Sequence, residues 1–253
     1  MVGAVILFRS ILFNLLFYLN LLVLLVVALA TLLMPRWGIL GMAKFWGRTS
    51  LWLLRVVCGT KVEFRGVEKI GHGALLVAAK HQSTWETFAL LPLLDDFTFI
   101  IKRELIWIPL FGWFALKGGM ISVNRGAGSQ TLNDMAVRAK KEIRGGRQLI
   151  IFPEGTRRPP GAEPRYKFGV ARLYSEIGVP CVPIALNSGL FWPRRSFRWL
   201  PGTIVVEILD PIPPGLDTDT FLARLQDTIE TATARLVAEG QAELKRLGVS
   251  GSA

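Results

Sequence analysis

The sequence predicts an α/β protein with a mostly parallel central sheet flanked by helices, preceded by an N-terminal membrane helix or helical hairpin. Two observations support this class. From residue 61 onward, short apolar runs alternate with helical patterns, which is typical of parallel sheets whose strands are joined by helices. Before them lies a segment from Ser10 to Pro35 without any charged residue. We therefore expect membrane-anchoring helices over residues 1–58, an α/β domain over 59–247 and a flexible tail over 248–253.

The apolar N-terminal segment is long enough to cross a bilayer. Between Ile11 and Met34, only two asparagines and one threonine interrupt the apolar run, and a helix of this length measures about 36 Å. A cleaved signal peptide is the alternative, because the ALA triplet at residues 28–30 imitates a cleavage site. The apolar region of a signal peptide is about 7–15 residues long, so the longer segment favours a retained anchor.

The charges beside this segment predict its orientation. Arg9 stands alone before it, whereas four cations follow it: Arg36, Lys44, Arg48 and Arg55. Because positive flanks face the cytoplasm, we expect an inner (cytoplasmic) membrane protein with its α/β domain on the cytoplasmic side. The region Trp37–Val57 fits an amphipathic helix lying on the membrane and, equally well, a core helix of the domain. A helical hairpin that enters one leaflet fits residues 1–57 too.

The α/β domain is predicted element by element. Strand patterns lie at Lys61–Arg65, Ala74–Ala79, Phe97–Ile101, Met120–Val123, Gln148–Phe152, Cys181–Leu186 and Thr203–Ile208. Helical patterns lie at Ser83–Leu94, Gln130–Ile143, Phe168–Ile177 and Asp217–Leu247, the last with a predicted break at Gly240. In such sheets the chemistry gathers at the carboxyl ends of the strands.

The amino-acid composition limits the kinds of partner and metal site that the protein is expected to have. The 253 residues carry a net charge of +11, which suits nucleic acid, an anionic membrane face or a phosphorylated substrate. Cys58 and Cys181 fit neither a disulfide framework nor a metal-binding spacing. His72 and His81 are the only histidines, which excludes a polyhistidine metal site. Nucleic-acid binding would explain the charge but not the anchor, so we expect neither a nucleic-acid partner nor a metal.

His81 is the first catalytic candidate. It follows the strand Ala74–Ala79 and precedes a helix, so its side chain is expected to face a cleft at the carboxyl end of the strand. Glu86 lies five residues further on and is expected to reach back to the imidazole. A carboxylate on one ring nitrogen fixes the tautomer and leaves the other nitrogen free as a base. Alternatively, Ser83 and Glu86 form a helix-capping box, or Glu86 serves both purposes.

The block FPEGTR at residues 152–157 follows another predicted strand and brings a carboxylate, a flexible glycine and a guanidinium into one turn. Arg157 is suited to grip a phosphate with two hydrogen bonds. Lys102 and Arg125 end two further strands, so the three cations are expected to form one anion pocket. Each of them is alternatively an ordinary surface charge.

Taken together, these motifs resemble the four sequence blocks of the glycerolipid acyltransferases, specifically the bacterial 1-acyl-sn-glycerol-3-phosphate acyltransferase family. The blocks occur in order as His81 with Glu86, the strand ending in Arg125, FPEGTR at 152–157 and VPCVP at 179–183. The likeness spans roughly residues 60–210. The family usually has aspartate where this chain has Glu86, and its second block often reads Phe-Ile-(Asp/Asn)-Arg.

The resemblance implies a glycerolipid acyltransferase-like fold and the transfer of an acyl group to lysophosphatidic acid, giving phosphatidic acid. The donor would be an acyl carrier protein or coenzyme A thioester, with no cofactor. His81 would act as general base and Glu86 would orient it, without an acyl-enzyme. The implied substrate-binding residues are Lys102, Arg125, Glu154, Gly155, Thr156 and Arg157. Alternatives are the same chemistry on another lysolipid, such as lyso-ornithine lipid, and a non-catalytic membrane adaptor.

Overall fold

The computed structural model describes residues 2–123 and 128–249. Its seven strands are β1 Thr60–Arg65, β2 Leu75–Ala79, β3 Phe97–Lys102, β4 Ile121–Val123, β5 Gln148–Ile151, β6 Cys181–Leu186 and β7 Gly202–Ile208. Its α-helices are α1 Val2–Val27, α2 Arg36–Leu53, α3 Glu86–Ala89, α4 Phe111–Lys117, α5 Gly128–Arg144, α6 Phe168–Ile177, α7 Ser188–Phe191 and α8 Thr218–Arg246.

The seven strands form one sheet in the order β1-β7-β6-β2-β5-β3-β4. Every neighbouring pair is parallel except β6 and β7, which are antiparallel. The predicted mostly parallel sheet is therefore confirmed, and each strand lies within one or two residues of its predicted position. The strand β2 lies between β5 and β6, so the residues that follow it emerge near the middle of the sheet.

Each face of the sheet is covered by its own layer of helices. Because side chains alternate along a strand, Leu75, Val77 and Ala79 of β2 point to the layer built from α1, α2 and α3. Leu76 and Ala78 point to the opposite layer, which contains α5, α6 and α8. The apolar run in β2 is thus buried on both faces, as expected for a central parallel strand.

Two helix predictions need correction. The predicted helix Ser83–Leu94 is reduced to α3 and a 3-10 turn at Leu91–Leu93, because Pro92 cannot continue an α-helix. The predicted break at Gly240 does not exist, since α8 runs through it without interruption. Gly240 instead permits close packing, because a Cβ there would lie 2.7 Å from Leu190.

The N-terminal region is a helical hairpin that lies along the domain. After α1 the chain continues as a 3-10 helix over Ala28–Leu33 and returns as α2. By length and composition, residues 3–33 are apolar enough to cross a membrane. The backbone N–H of Trp199 donates to Ser10 in the first half of α1, while Ala28 packs against Phe114 at the far end. The hairpin therefore contacts the domain at points about 27 Å apart along its axis.

Candidate active site

Three strand ends build the site. His81 follows β2, the loop that begins at Phe152 follows β5, and Ser188 follows β6. These strands are neighbours in the sheet and run parallel, so their carboxyl ends meet at one edge. This is the edge at which the sequence predicted the chemistry.

The imidazole of His81 is held on one side and open on the other. Its Nδ1 lies 2.9 Å from Oε1 of Glu86, and its ring stacks on Phe152 with centroids 4.1 Å apart. An ionised carboxylate only accepts hydrogen bonds, so Nδ1 carries the proton in the neutral ring and Nε2 keeps its lone pair. Nε2 has no hydrogen-bond partner among the residues that the structure describes. The arrangement suits a general base.

The carboxylate of Glu86 is fully buried and accepts five hydrogen bonds. Oε1 accepts from the His81 ring and from the backbone N–H groups of Gln82 and Ser83. Oε2 accepts from the hydroxyls of Ser83 and Ser188. Glu86 therefore bonds to the Ser83 amide as in a capping box and contacts His81 at the same time. The capping box and the histidine partner, which the sequence left as alternatives, are therefore both found in the contacts of Glu86.

Replacing Ser188 with alanine is expected to lower the free energy of unfolding by about 1.5–3 kcal/mol, the usual contribution of a hydrogen bond to a charged group. The buried Ser188 hydroxyl donates to Oε2 of Glu86 at 2.9 Å and comes from a different strand end. Denaturant unfolding in detergent measures the change. Ser196→Ala, on an exposed loop, is the matched control and should alter stability by less than about 0.5 kcal/mol. Equal effects of the two substitutions would contradict the prediction.

Glu154 of the FPEGTR block lies beneath the histidine turn. Its Oε2 accepts from the backbone N–H of His81 at 3.0 Å, and its Oε1 accepts from Lys80 at 2.9 Å. Burial raises the pKa of the Glu154 carboxyl, and the ammonium of Lys80 opposes that shift. Lys80 also bonds to Glu230 of α8, which accepts from the hydroxyl of Tyr166. Glu154 therefore supports the His81 backbone, and its role in shaping the acceptor site, which the resemblance implies, stays a prediction.

The rest of the FPEGTR loop is tied to the same turn. Gly155 has a φ of 66°, a left-handed conformation that favours glycine, and its N–H donates to the carbonyl of Phe152. Nη1 of Arg157 donates to the Thr84 hydroxyl at 2.6 Å, and the backbone N–H of Arg158 donates to the His81 carbonyl at 2.8 Å. Arg157 is thus brought to the histidine turn.

The remaining predicted binding residues have different surroundings. Thr156 is exposed on the loop. Lys102 ends β3, is half-exposed and pairs with Glu104 at 3.1 Å. Arg125 lies outside the described residues. The structure therefore brings Arg157 to the histidine turn, and the shared anion pocket with Lys102 and Arg125 stays a prediction.

Comparison with known proteins identifies relatives of this chain. The family model described as Acyltransferase matches residues 61–187, half of the chain. A 1-acyl-sn-glycerol-3-phosphate acyltransferase of Pseudomonas aeruginosa is 34% identical over 194 residues, covering 77% of this chain and 76% of that protein.

The chain belongs to the 1-acyl-sn-glycerol-3-phosphate acyltransferase family.

Two further relatives of this acyltransferase family extend the comparison. A lyso-ornithine lipid O-acyltransferase of Pseudomonas aeruginosa is 28% identical over 202 residues, covering 73% of this chain and 77% of that protein. The crystal structure of the 1-acyl-sn-glycerophosphate acyltransferase of Thermotoga maritima superimposes with a TM-score of 0.74. That match is 23% identical and covers 90% of this chain and 97% of the other, which confirms the fold.

Four residues that hold the site together in this family member were not among the predicted site residues. They are Lys80, Phe152, Ser188 and Glu230. Lys80 had a visible signal, because a charge that ends a fully apolar buried strand needs a buried partner. Ser188 and Glu230 had none, since only the folded chain brings them to residues about a hundred positions or more away.

Proposed function

We propose that this protein transfers a fatty acyl group from an acyl carrier protein or coenzyme A thioester to the sn-2 hydroxyl of lysophosphatidic acid, giving phosphatidic acid. The observation that carries the proposal is the imidazole of His81, whose Nδ1 contacts the buried Glu86 at 2.9 Å while Nε2 is left for a substrate. The names of the relatives support the acceptor, since the Pseudomonas protein with 34% identity is a 1-acyl-sn-glycerol-3-phosphate acyltransferase.

In the proposed reaction, Nε2 of His81 takes the proton of the sn-2 hydroxyl as its oxygen attacks the thioester carbonyl. Glu86, which accepts a hydrogen bond from Nδ1–H, stabilises the imidazolium that forms. The tetrahedral intermediate collapses by breaking the carbon–sulfur bond. The leaving thiolate then takes the proton back from the imidazolium. The acyl group passes directly from sulfur to oxygen, so no acyl-enzyme is formed.

Arg157 is proposed to bind the acceptor phosphate, because it reaches the histidine turn through Thr84 and is only partly buried. Lys102, Arg125, Gly155 and Thr156 are proposed to complete the acceptor site. A guanidinium provides paired donors that match phosphate oxygens. Glu154 is proposed to act on this site indirectly, through the His81 backbone that it holds.

The hairpin of α1 and α2 is proposed to sit in the cytoplasmic leaflet of the inner membrane, with the catalytic domain on the cytoplasmic side. Contacts between α1 and the domain near Ser10 and near Ala28 support a hairpin that lies along the domain. The outer side of α1 exposes large apolar side chains, such as Phe8, Leu15 and Leu22. Such a placement would let the acceptor keep its acyl chain in the leaflet while its head group reaches His81.

Replacing Arg157 with alanine is expected to lower kcat/KM for lysophosphatidic acid about 10- to 100-fold, because a charge-assisted hydrogen bond to the phosphate is lost. The measurement is acyl transfer by purified protein in detergent, with labelled donors and a panel of lysolipids. Arg165→Ala, which removes an exposed arginine of the same loop paired with Glu163, should leave the rate unchanged.

The second candidate acceptor is lyso-ornithine lipid, which the relative with 28% identity suggests by its name. This acceptor has no phosphate for Arg157 to hold. Near-normal activity of Arg157→Ala, together with turnover of lyso-ornithine lipid in the same panel, would favour it over lysophosphatidic acid.

A further inference from the structure

An exposed apolar surface lies outside the catalytic turn, in the connection between β3 and β4. The twelve residues from Leu105 to Leu116 contain no charge. Trp107 and Trp113 are 77% and 57% exposed. The other large exposed side chains of this stretch are Ile108, Phe111 and Leu116. We call these five side chains the Trp107–Leu116 surface. A cluster of this kind usually marks an interaction site.

The Trp107–Leu116 surface is continuous with the membrane hairpin. On the other side of α4, Phe114 is buried against Ala28 and Ile39, which lie on either side of the turn of the hairpin. Around the same turn, Leu33 and Trp37 are exposed. The segment is therefore fixed to the end of the hairpin and adds its apolar side chains to those of the hairpin.

Several backbone groups of the segment are paired internally, which lowers the cost of placing it in an apolar medium, where unpaired N–H groups are unfavourable. The N–H groups of Ile108, Phe111 and Gly112 donate to carbonyls within the segment, and Pro109 has no N–H to satisfy. Gly112 makes this compact turn feasible, because a Cβ there would lie 1.8 Å from the carbonyl oxygen of Ile106.

The charges beside the surface suit an anionic lipid layer. Lys102, Arg103 and Glu104 precede the uncharged stretch and Lys117 follows it, so cations outnumber the single carboxylate at its flanks. Tryptophan is enriched where a protein crosses from hydrocarbon to head groups. Twelve residues are too few to span a bilayer, which takes about 20 in a helix, so the stretch has the length of an interfacial segment.

We propose that the Trp107–Leu116 surface inserts into the same leaflet as the hairpin and forms a second membrane contact of the protein. The segment starts at the carboxyl end of β3, the edge of the sheet at which His81 lies. Its insertion would hold that edge against the lipid surface. The binding partner of this surface is thus the phospholipid leaflet itself, with anionic head groups beside the flanking cations.

The test attaches an environment-sensitive fluorophore to a Trp107→Cys variant of the full chain. The native thiols of Cys58 and Cys181 are buried, and burial raises the pKa of the Cys181 thiol, so labelling is confined to the new site. The protein is reconstituted in vesicles of phosphatidylcholine and phosphatidylglycerol. Quenching is measured with nitroxide-labelled lipids and with aqueous iodide.

The matched control is Val137→Cys, at a 68% exposed position on α5, in the layer on the opposite face of the sheet from the hairpin. We expect a probe at position 107 to be quenched by the lipid nitroxide and protected from iodide, and a probe at 137 to show the reverse. Iodide quenching at 107 equal to that at 137 would overturn the proposal. Protection from both quenchers at 107 would also overturn it, because a second protein molecule would then cover the surface. None of these readouts depends on acyl transfer.

Discussion

His81→Ala is expected to reduce acyl transfer about 10²–10⁴-fold, the usual contribution of a positioned general base. The imidazole is the group whose Nδ1 is bound by Glu86 and whose Nε2 faces no described partner. In the proposed mechanism its loss removes the proton acceptor for the attacking hydroxyl, while the cations proposed to bind the acceptor are unchanged. The effect should therefore appear in kcat, with a much smaller change in KM. Steady-state rates over a range of lysophosphatidic acid concentrations measure both constants.

The chain offers its own control for this experiment. His72, the only other histidine, is exposed and pairs with Asp95 at 2.6 Å on the surface. His72→Ala should leave both kinetic constants close to those of the parent protein. Circular dichroism of each variant checks that the fold is kept. If His81→Ala turned over at the parent rate, His81 would not be the general base. Absence of turnover by the parent protein itself would indicate a membrane adaptor that keeps the fold without the chemistry.

Most strands and long helices could be predicted from the sequence, because each depends on the pattern of apolar residues within its own segment. The run Ala74–Ala79 is typical of a strand buried on both faces, and the structure places it in the middle of the sheet as β2. The periodic pattern at Phe168–Ile177 gives α6 with the same bounds. The antiparallel orientation of β7 beside β6 has no local signal, since it depends on the path of the chain between them.

Part of the site could also be predicted from the sequence, because some of its contacts join residues that are close together in the chain. His81 and Glu86 are five positions apart, so their contact is a local property that sequence spacing suggests. The role of Glu154 differs, because its partners come from β2 and α8 and no spacing reveals them. From the sequence, a carboxylate in a loop after a strand is readily interpreted as a substrate-binding group. Only the folded structure shows that protein donors surround the carboxylate of Glu154.

Lys80→Met is expected to lower the free energy of unfolding by about 3–5 kcal/mol, the usual result of removing one partner of a buried ion pair. Lys80 is 3% exposed and bonds to Glu154 at 2.9 Å and to Glu230 at 2.6 Å. Without it, two carboxylates of like charge remain together, one of them fully buried. Denaturant unfolding in detergent gives the change. Lys69→Met, which breaks an exposed pair with Asp210, is the control and should cost less than about 1 kcal/mol.

The pH dependence of this loss distinguishes an unpaired charge from a simple packing defect. Burial already raises the pKa of Glu154 above its ordinary value in the folded protein, and removing the Lys80 ammonium raises it further. An acid whose folded pKa is raised destabilises the fold when it is ionised, so stability returns as pH falls through the folded pKa. We therefore expect the cost of Lys80→Met to be largest at neutral pH, to shrink in mild acid, and to be reduced by adding Glu154→Gln. A cost that is constant with pH and additive with Glu154→Gln would show that Lys80 contributes through its aliphatic stem alone.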